Sequence, residues 1–234
     1  MRLAGFILAT GMALGAFTGD LRAAELFAEG PGSSDFAIFP GWQRVMTQTA
    51  KDIAAAKPAS EPAKAACTAG QDCPIERWNA FIEETRKLPK DQQLEAVNKW
   101  ANARPYAEDW ANWGLPDYWE TPKEFLTRGG DCEDYAIAKY YMLVRLGFSP
   151  DDLRIVVVND TNLEMFHAVL AVRKQGAPTV LLDNQMPQVV PMALMSHYRP
   201  FYSLNEKGWW MADEPQVALN IAPRRDEIFA AAGR

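Results

Sequence analysis

The run Gly129-Gly130-Asp131-Cys132-Glu133-Asp134-Tyr135-Ala136 sets one cysteine just after a glycine pair and an aspartate. Aspartate is a preferred N-cap, so the run predicts a glycine turn and a helix from Asp131 to about Gly147. Cys132 then lies in the first turn, where unpaired N–H groups favour the thiolate, the nucleophilic form of the side chain. A cysteine nucleophile needs a general base and a group to orient that base. The chain has two histidines. His167 sits in the β-rich run Met165-Phe-His-Ala-Val-Leu170, where alternation places it on one side. His197 sits beside Tyr198-Arg-Pro200, which reads as a loop. A strand holds a base more firmly than a loop does, so His167 is the candidate. Asp183 ends the next β-rich run, where a hairpin partner can bring its carboxylate against the ring. A lone strand histidine is more often packing than catalysis, and an aspartate at a strand end is usually a turn residue. The three types together, in this order, predict a cysteine protease.

Asp131, Glu133 and Asp134 crowd Cys132 with like charge, which disfavours a thiolate and offsets the helix dipole. Solvation and helix capping account for such a cluster equally well. The sharper expectation is a hard cation. Ca²⁺ takes clustered carboxylate and carbonyl oxygens, and its charge reverses the local argument about the thiol. Zinc fits less well, because oxygen ligands dominate and the thiol would be consumed. Asp117 is a further candidate from the preceding loop. The Cys132 N–H is a natural oxyanion donor at a helix start, and no second donor is readable.

Helices precede strands along the chain. Trp42 to Ala55 is expected to be a helix with Val45 and Ile53 on its apolar side. Ile75 to Leu88 carries Trp78, Phe81 and Ile82 at helical spacing, and Asp91 to Ala103 carries Leu94, Val97 and Trp100. Residues 25 to 40 read as irregular, 57 to 64 as a linker, and Trp110 to Trp119 as a Trp-rich stretch. Thr121 before Pro122, with Glu124 three residues on, is a capping box opening a short helix. Leu153–Val158, Phe166–Arg173 and Thr179–Leu182 are β-rich, and Asn205–Gly208 reads as the turn of a hairpin between Tyr202-Ser-Leu204 and Trp209-Trp-Met211. Helices first and strands after predict an α+β domain, with N-terminal helices packed on an antiparallel sheet.

The 234 residues are 48% hydrophobic and 23% charged, enough for one sizeable core. A net charge of −6 speaks against nucleic acid as a partner. Arg2, the apolar run Leu3 to Phe17 and the small residues Ala23-Ala24 read as a secretory signal peptide over 1–24, too short to span a membrane. Export to the periplasm follows as an expectation. Residues 25–74 are then an N-terminal extension and linker, and 75–234 the protease domain. In an oxidising compartment Cys67 and Cys73 can close a small loop, leaving Cys132 as the odd thiol.

Several blocks resemble the bacterial transglutaminase-like cysteine protease family. They are Trp113-Gly-Leu-Pro-Asp-Tyr-Trp-Glu-Thr-Pro122 and Gly130-Asp-Cys-Glu-Asp-Tyr-Ala-Ile-Ala-Lys-Tyr140, then Leu146-Gly147, Leu153-Arg154, His167-Ala-Val-Leu170, Leu182-Asp-Asn184 and Pro200-Phe-Tyr-Ser-Leu-Asn205. The resemblance covers roughly residues 75 to 211, and its Asp-Cys-Glu-Asp block is highly specific. It implies a papain/transglutaminase-like fold and a Cys132–His167–Asp183 triad. It also implies a calcium site at Asp131 and Glu133, with Asp134 next. The family's best-known type is a periplasmic protease that cuts a large surface adhesin after a paired-alanine motif near its N-terminus, controlling biofilm attachment. An inner-membrane receptor for cyclic di-GMP sequesters it. Two other functions suit the same residues. An amine acceptor in place of water makes a transglutaminase, and an idle triad leaves a non-catalytic calcium-binding partner.

Overall fold

A computed structural model describes residues 26–27, 32–55 and 74–212. The segment 1–24, the Cys67–Cys73 pair, the 57–64 linker and the tail beyond 212 lie outside the described residues. The helices are α1 (Pro40–Ala55), α2 (Pro74–Thr85), α3 (Lys90–Asn102), α4 (Asp109–Trp113), α5 (Pro122–Arg128) and α6 (Cys132–Arg145). The strands are β1 (Gly32–Ser33), β2 (Leu153–Asp160), β3 (Met165–Lys174), β4 (Ala177–Leu182), β5 (Val190–Pro191), β6 (Tyr198–Leu204) and β7 (Trp209–Met211). They form one sheet in the order β1-β7-β6-β2-β3-β4-β5, antiparallel at every pairing. The α+β arrangement expected from the sequence is the one observed. No helix among the described residues is long and apolar enough to cross a membrane.

Strand alternation sorts the sheet's two faces. Leu153, Ile155, Leu170, Val172, Leu182 and Leu204 face the helices and join their core. Val156, Val158, Val169, Ala171 and Leu181 face the other way, where Leu26, Phe27, Met192 and Tyr198 cover them. α6 lies against β3 and β2 and is buried almost throughout, from Asp134 to Leu143. Its short polar start and long apolar body explain why it is the central helix. The predicted capping box opens α5: Thr121 Oγ1 accepts from the Glu124 N–H at 3.2 Å, and Glu124 Oε2 accepts from the Thr121 N–H at 2.7 Å.

The segment before residue 75 supplies α1 and β1 to this same core and sheet. The buried stripe of α1 is Trp42, Val45 and Thr49. Ile53, expected beside Val45, is instead 42% exposed. The stripe points correctly, but residues 51–54 include no buried side chain, so the helix outruns its support. β1, β5 and α4 were absent from the sequence reading, being two to five residues long. β6 begins at Tyr198, earlier than the expected Tyr202.

Trp42 ties the layers together. Its ring lies 6.0–6.3 Å from those of Trp119, Tyr140 and Tyr141, and its Nε1–H donates to the Asn205 carbonyl at 3.2 Å. Trp42→Ala leaves a cavity and an unpaired carbonyl there. It should lower unfolding free energy by about 3–5 kcal/mol, read from denaturant titration.

Candidate active site

The start of α6 is built by Asp134. Its Oδ1 accepts from the Glu120 N–H at 2.7 Å and its Oδ2 from the Asp131 N–H at 3.1 Å. The fully buried carboxylate thus fixes the preceding loop and the helix N-terminus together. Gly130 permits this approach, since a Cβ there would lie 2.3 Å from Asp134 Oδ2. Cys132 follows in the first helical turn, half-buried. The backbone N–H of Ala168, next to His167 in β3, faces its sulfur. The thiol donates to Glu133 Oε2 at 3.2 Å. Burial, then the charges of Glu133 and Asp131, push the Cys132 thiol well above its ordinary value. The like-charge conflict expected from the sequence is therefore present.

β3 and the end of β4 bring His167 and Asp183 together. His167 Nε2 lies 2.9 Å from Asp183 Oδ1, with both side chains buried. Asp183 also accepts from the Gln185 N–H at 2.8 Å and the Tyr198 hydroxyl at 2.7 Å, while the Asn102 amide holds its carbonyl at 2.9 Å. Burial opposes its charge. The bonds from His167, Gln185 and Tyr198 outweigh that and hold its carboxyl below the ordinary value. An ionised carboxylate only accepts, so it assigns the proton to Nε2 and leaves the Nδ1 lone pair free. His197 stands apart from this pair. Its carbonyl caps Thr161, and its ring meets Tyr198 edge-on at 4.5 Å.

Five carboxylates converge beside the cysteine. Asp131, Glu133 and the Cys132 sulfur form one group, Asp109, Asp131 and Asp134 a second, and Asp109, Asp117 and Glu133 a third. Within each group, potential ligand atoms lie within 4.8 Å of one another. Burial and then neighbouring negative charge raise Asp109 to about 6, Asp117 to about 7 and Asp131 to about 9. Glu133 is raised as well, chiefly by burial. Asp109 Oδ1 and Asp131 Oδ1 are buried without a hydrogen-bond partner among the described residues. Two unpartnered oxygens within a mutually repelling, nearly all-oxygen ligand set fit a hard divalent cation.

Asp109, Tyr198 and Lys139 were not singled out from the sequence. Asp109 lies just before the Trp-rich stretch Trp110 to Trp119, and Tyr198 stands in the sequence only as the neighbour of His197. Lys139 is fully buried in α6, with no hydrogen-bond partner for Nζ among the described residues. Burial pulls it down to about 7, opposed by the charge of Asp183.

The profile of a family described as bacterial transglutaminase-like cysteine proteinase matches residues 59–214. Among solved structures the chain is similar to Legionella pneumophila LapG in an EGTA-treated form. The identity is 34%, with 60% of this chain and 76% of that one covered, at a TM-score of 0.55. It is similar also to a calcium-bound form of L. pneumophila LapG, at 33% identity, with 63% and 84% covered and a TM-score of 0.54. No curated protein matches.

Proposed function

We propose that this chain, which belongs to the bacterial transglutaminase-like cysteine proteinase family and is a cysteine protease, is a calcium-dependent endopeptidase using Cys132, His167 and Asp183. The observation that carries the reading is the carboxylate cluster around a helix-start cysteine, in a chain one-third identical to a calcium-bound LapG. His167 Nδ1 takes the proton from Cys132 Sγ, and Asp183 stabilises the imidazolium that results. The thiolate attacks the scissile carbonyl carbon. The Cys132 N–H donates to the oxyanion, and collapse breaks the C–N bond as His167 returns its proton to the leaving amine. His167 then deprotonates a water that hydrolyses the thioester, releasing the acid and restoring the thiol.

Asp109, Asp117, Asp131 and Glu133 would hold the calcium, with Asp134 joining or anchoring the turn. Bound there, the ion supplies positive charge that lowers the cost of ionising Cys132. Tyr198, Gln185 and Asn102 keep Asp183, and through it His167, in place. Asp183→Asn would present an amide that no longer fixes the Nε2 tautomer. A fall in kcat of roughly 10⁴-fold is expected, the loss the same change brings to a serine-protease triad.

The proposal extends to context. The signal-like segment 1–24 supports export to the periplasm. The sequence resemblance supports a large surface adhesin as substrate, cut near its N-terminus, and control by an inner-membrane cyclic-di-GMP receptor. The test is N-terminal peptide mass spectrometry of envelope and medium proteins treated with the purified chain, with calcium or with excess chelator. New calcium-dependent N-termini on a large surface protein would support the reading. Incorporation of a labelled amine without new termini would replace it with transglutamination.

A further inference from the structure

A second site lies at the other end of the sheet. Residues of β1, of β7, of the start of β2 and of the end of β3 line an open-sided cavity of about 660 Å³. Arg154, Arg173, Lys207, Ser33, Ser34 and Trp210 line it, with Asp151 as the one acidic side chain on its wall. His167 and Arg173 are six residues apart on β3, which places this cavity about 20 Å from the His167–Asp183 pair.

The charges at the cavity do not cancel. Arg173 pairs with Asp152 at 2.9 Å, and Lys207 pairs with Asp151 at 2.7 Å. Arg154 has no carboxylate at ion-pair distance among the described residues. It is 7% exposed, and its guanidinium lies 3.7 Å over the Trp210 ring and 5.3 Å from that of Phe27. One Nη donates to the Leu153 carbonyl at 3.2 Å, but Nε is buried with no acceptor among the described residues. Burial, then the charge of Arg173, pull Arg154 down to about 10. Asp151 and Asp152 attract it only from beyond ion-pair distance and do not offset the burial, and leaving a donor unmade adds to the cost. This occurs in a chain whose net charge is −6, so the surplus is local. The wall is shaped for it: a Cβ at Gly32 would lie 2.2 Å from the Trp210 indole nitrogen, so only glycine lets β1 lie against that ring.

We propose that this cavity binds a small organic anion that presents a carboxylate or phosphate group to Arg154. A guanidinium is suited to such planar or branched oxygen groups, and charge-assisted bonds to them are the strong ones. Arg173 and Lys207 extend the positive rim, and the serine hydroxyls offer neutral donors. The volume lies within the range of small-molecule pockets and exceeds what a bare inorganic ion fills. The site shares no residue with the proposed reaction centre.

The test is isothermal titration of the full chain with succinate and, separately, with glycerol 3-phosphate, against a sodium chloride blank of equal ionic strength. Saturable binding of at least one is expected, and the two arms identify the headgroup. Arg154→Met should abolish it and Arg173→Gln should weaken it tenfold or more. Should Arg154→Met fail to fold, Arg173→Gln and Lys207→Gln decide, since both side chains are about half exposed. Absence of binding beyond the blank, or binding unchanged in the folded variants, would overturn the proposal. The readout is heat and not cleavage, so it stands or falls apart from the protease mechanism.

Discussion

Cys132→Ala should reduce peptide-bond cleavage by about 10⁴-fold or more while leaving the fold intact. Loss of a triad nucleophile removes the covalent route, and what survives comes only from binding and oxyanion stabilisation. The structure indicates that the protein will tolerate the change. The sulfur donates to Glu133, and Glu133 keeps a second side-chain hydrogen-bond partner in Asp131 when the thiol is removed. Removing a half-buried thiol from that cluster costs little packing, so the melting temperature should stay within a few degrees of wild type. Cleavage kinetics and a thermal melt on the same preparation check both halves. Processing at the wild-type rate would sink the triad.

Calcium removal should produce the second large effect, and it should depend on pH. In excess chelator, Asp109, Asp117 and Asp131 hold protons to about 6, 7 and 9 in the folded chain. Buried Glu120, which accepts the Trp113 indole N–H, holds its proton to about 7. Unfolded carboxyls lose theirs near pH 4. Where the folded value is raised, the stabilisation is complete below the unfolded value and disappears as pH rises through the folded one. Metal-free protein should therefore lose stability from about pH 4 to about pH 9, most steeply below pH 7, with Asp131 carrying the last part. Asp183, held low, loses its contribution only on further acidification. Lys139 is protonated in both states until about pH 7; above that it loses its buried charge in the folded chain alone, which adds stability and opposes the slope. Calcium should flatten the slope and raise the melting temperature at pH 7 by about 5 °C or more, each kcal/mol being worth roughly 2–4 °C in a chain of this size. Activity should return with the ion. Equal melting curves with chelator and with calcium, across this range, would refute a cation at the cluster. Asp131→Asn should lower calcium affinity and activity together.

The candidate site is more legible in the sequence than the scaffold's edges. Cys132 announced itself through its glycines, its N-cap and its carboxylate neighbours, because all of those are local. His167 and Asp183 followed from strand order, since an antiparallel hairpin must place consecutive strands side by side. Asp109 gave no such sign. It joins the cluster only because the 109–121 loop folds back onto the α6 N-terminus through Asp134, a contact across fourteen positions. Lys139 was hidden for a related reason: its helix becomes buried on every side only when β3 packs against it. β1 and β5 are too short to carry a pattern, and each exists because a neighbouring strand offers it an edge. Ile53 shows the converse, a correct stripe without anything to cover its end.

The turn between α6 and β2, from Leu146 to Asp152, divides the reactive groups cleanly. The sulfur and all the clustered carboxylates come before it, and His167, Asp183 and Tyr198 come after. A polypeptide emerging from its N-terminus therefore exposes a cysteine with no base, and that thiol stays harmless while the chain is incomplete. The proposed base, His167, arrives with β3, its carboxylate partner Asp183 with the end of β4, and the Tyr198 hydroxyl that bonds the carboxylate only with β6. On the proposed mechanism, order of synthesis would by itself keep the thiol idle until the last strands have paired.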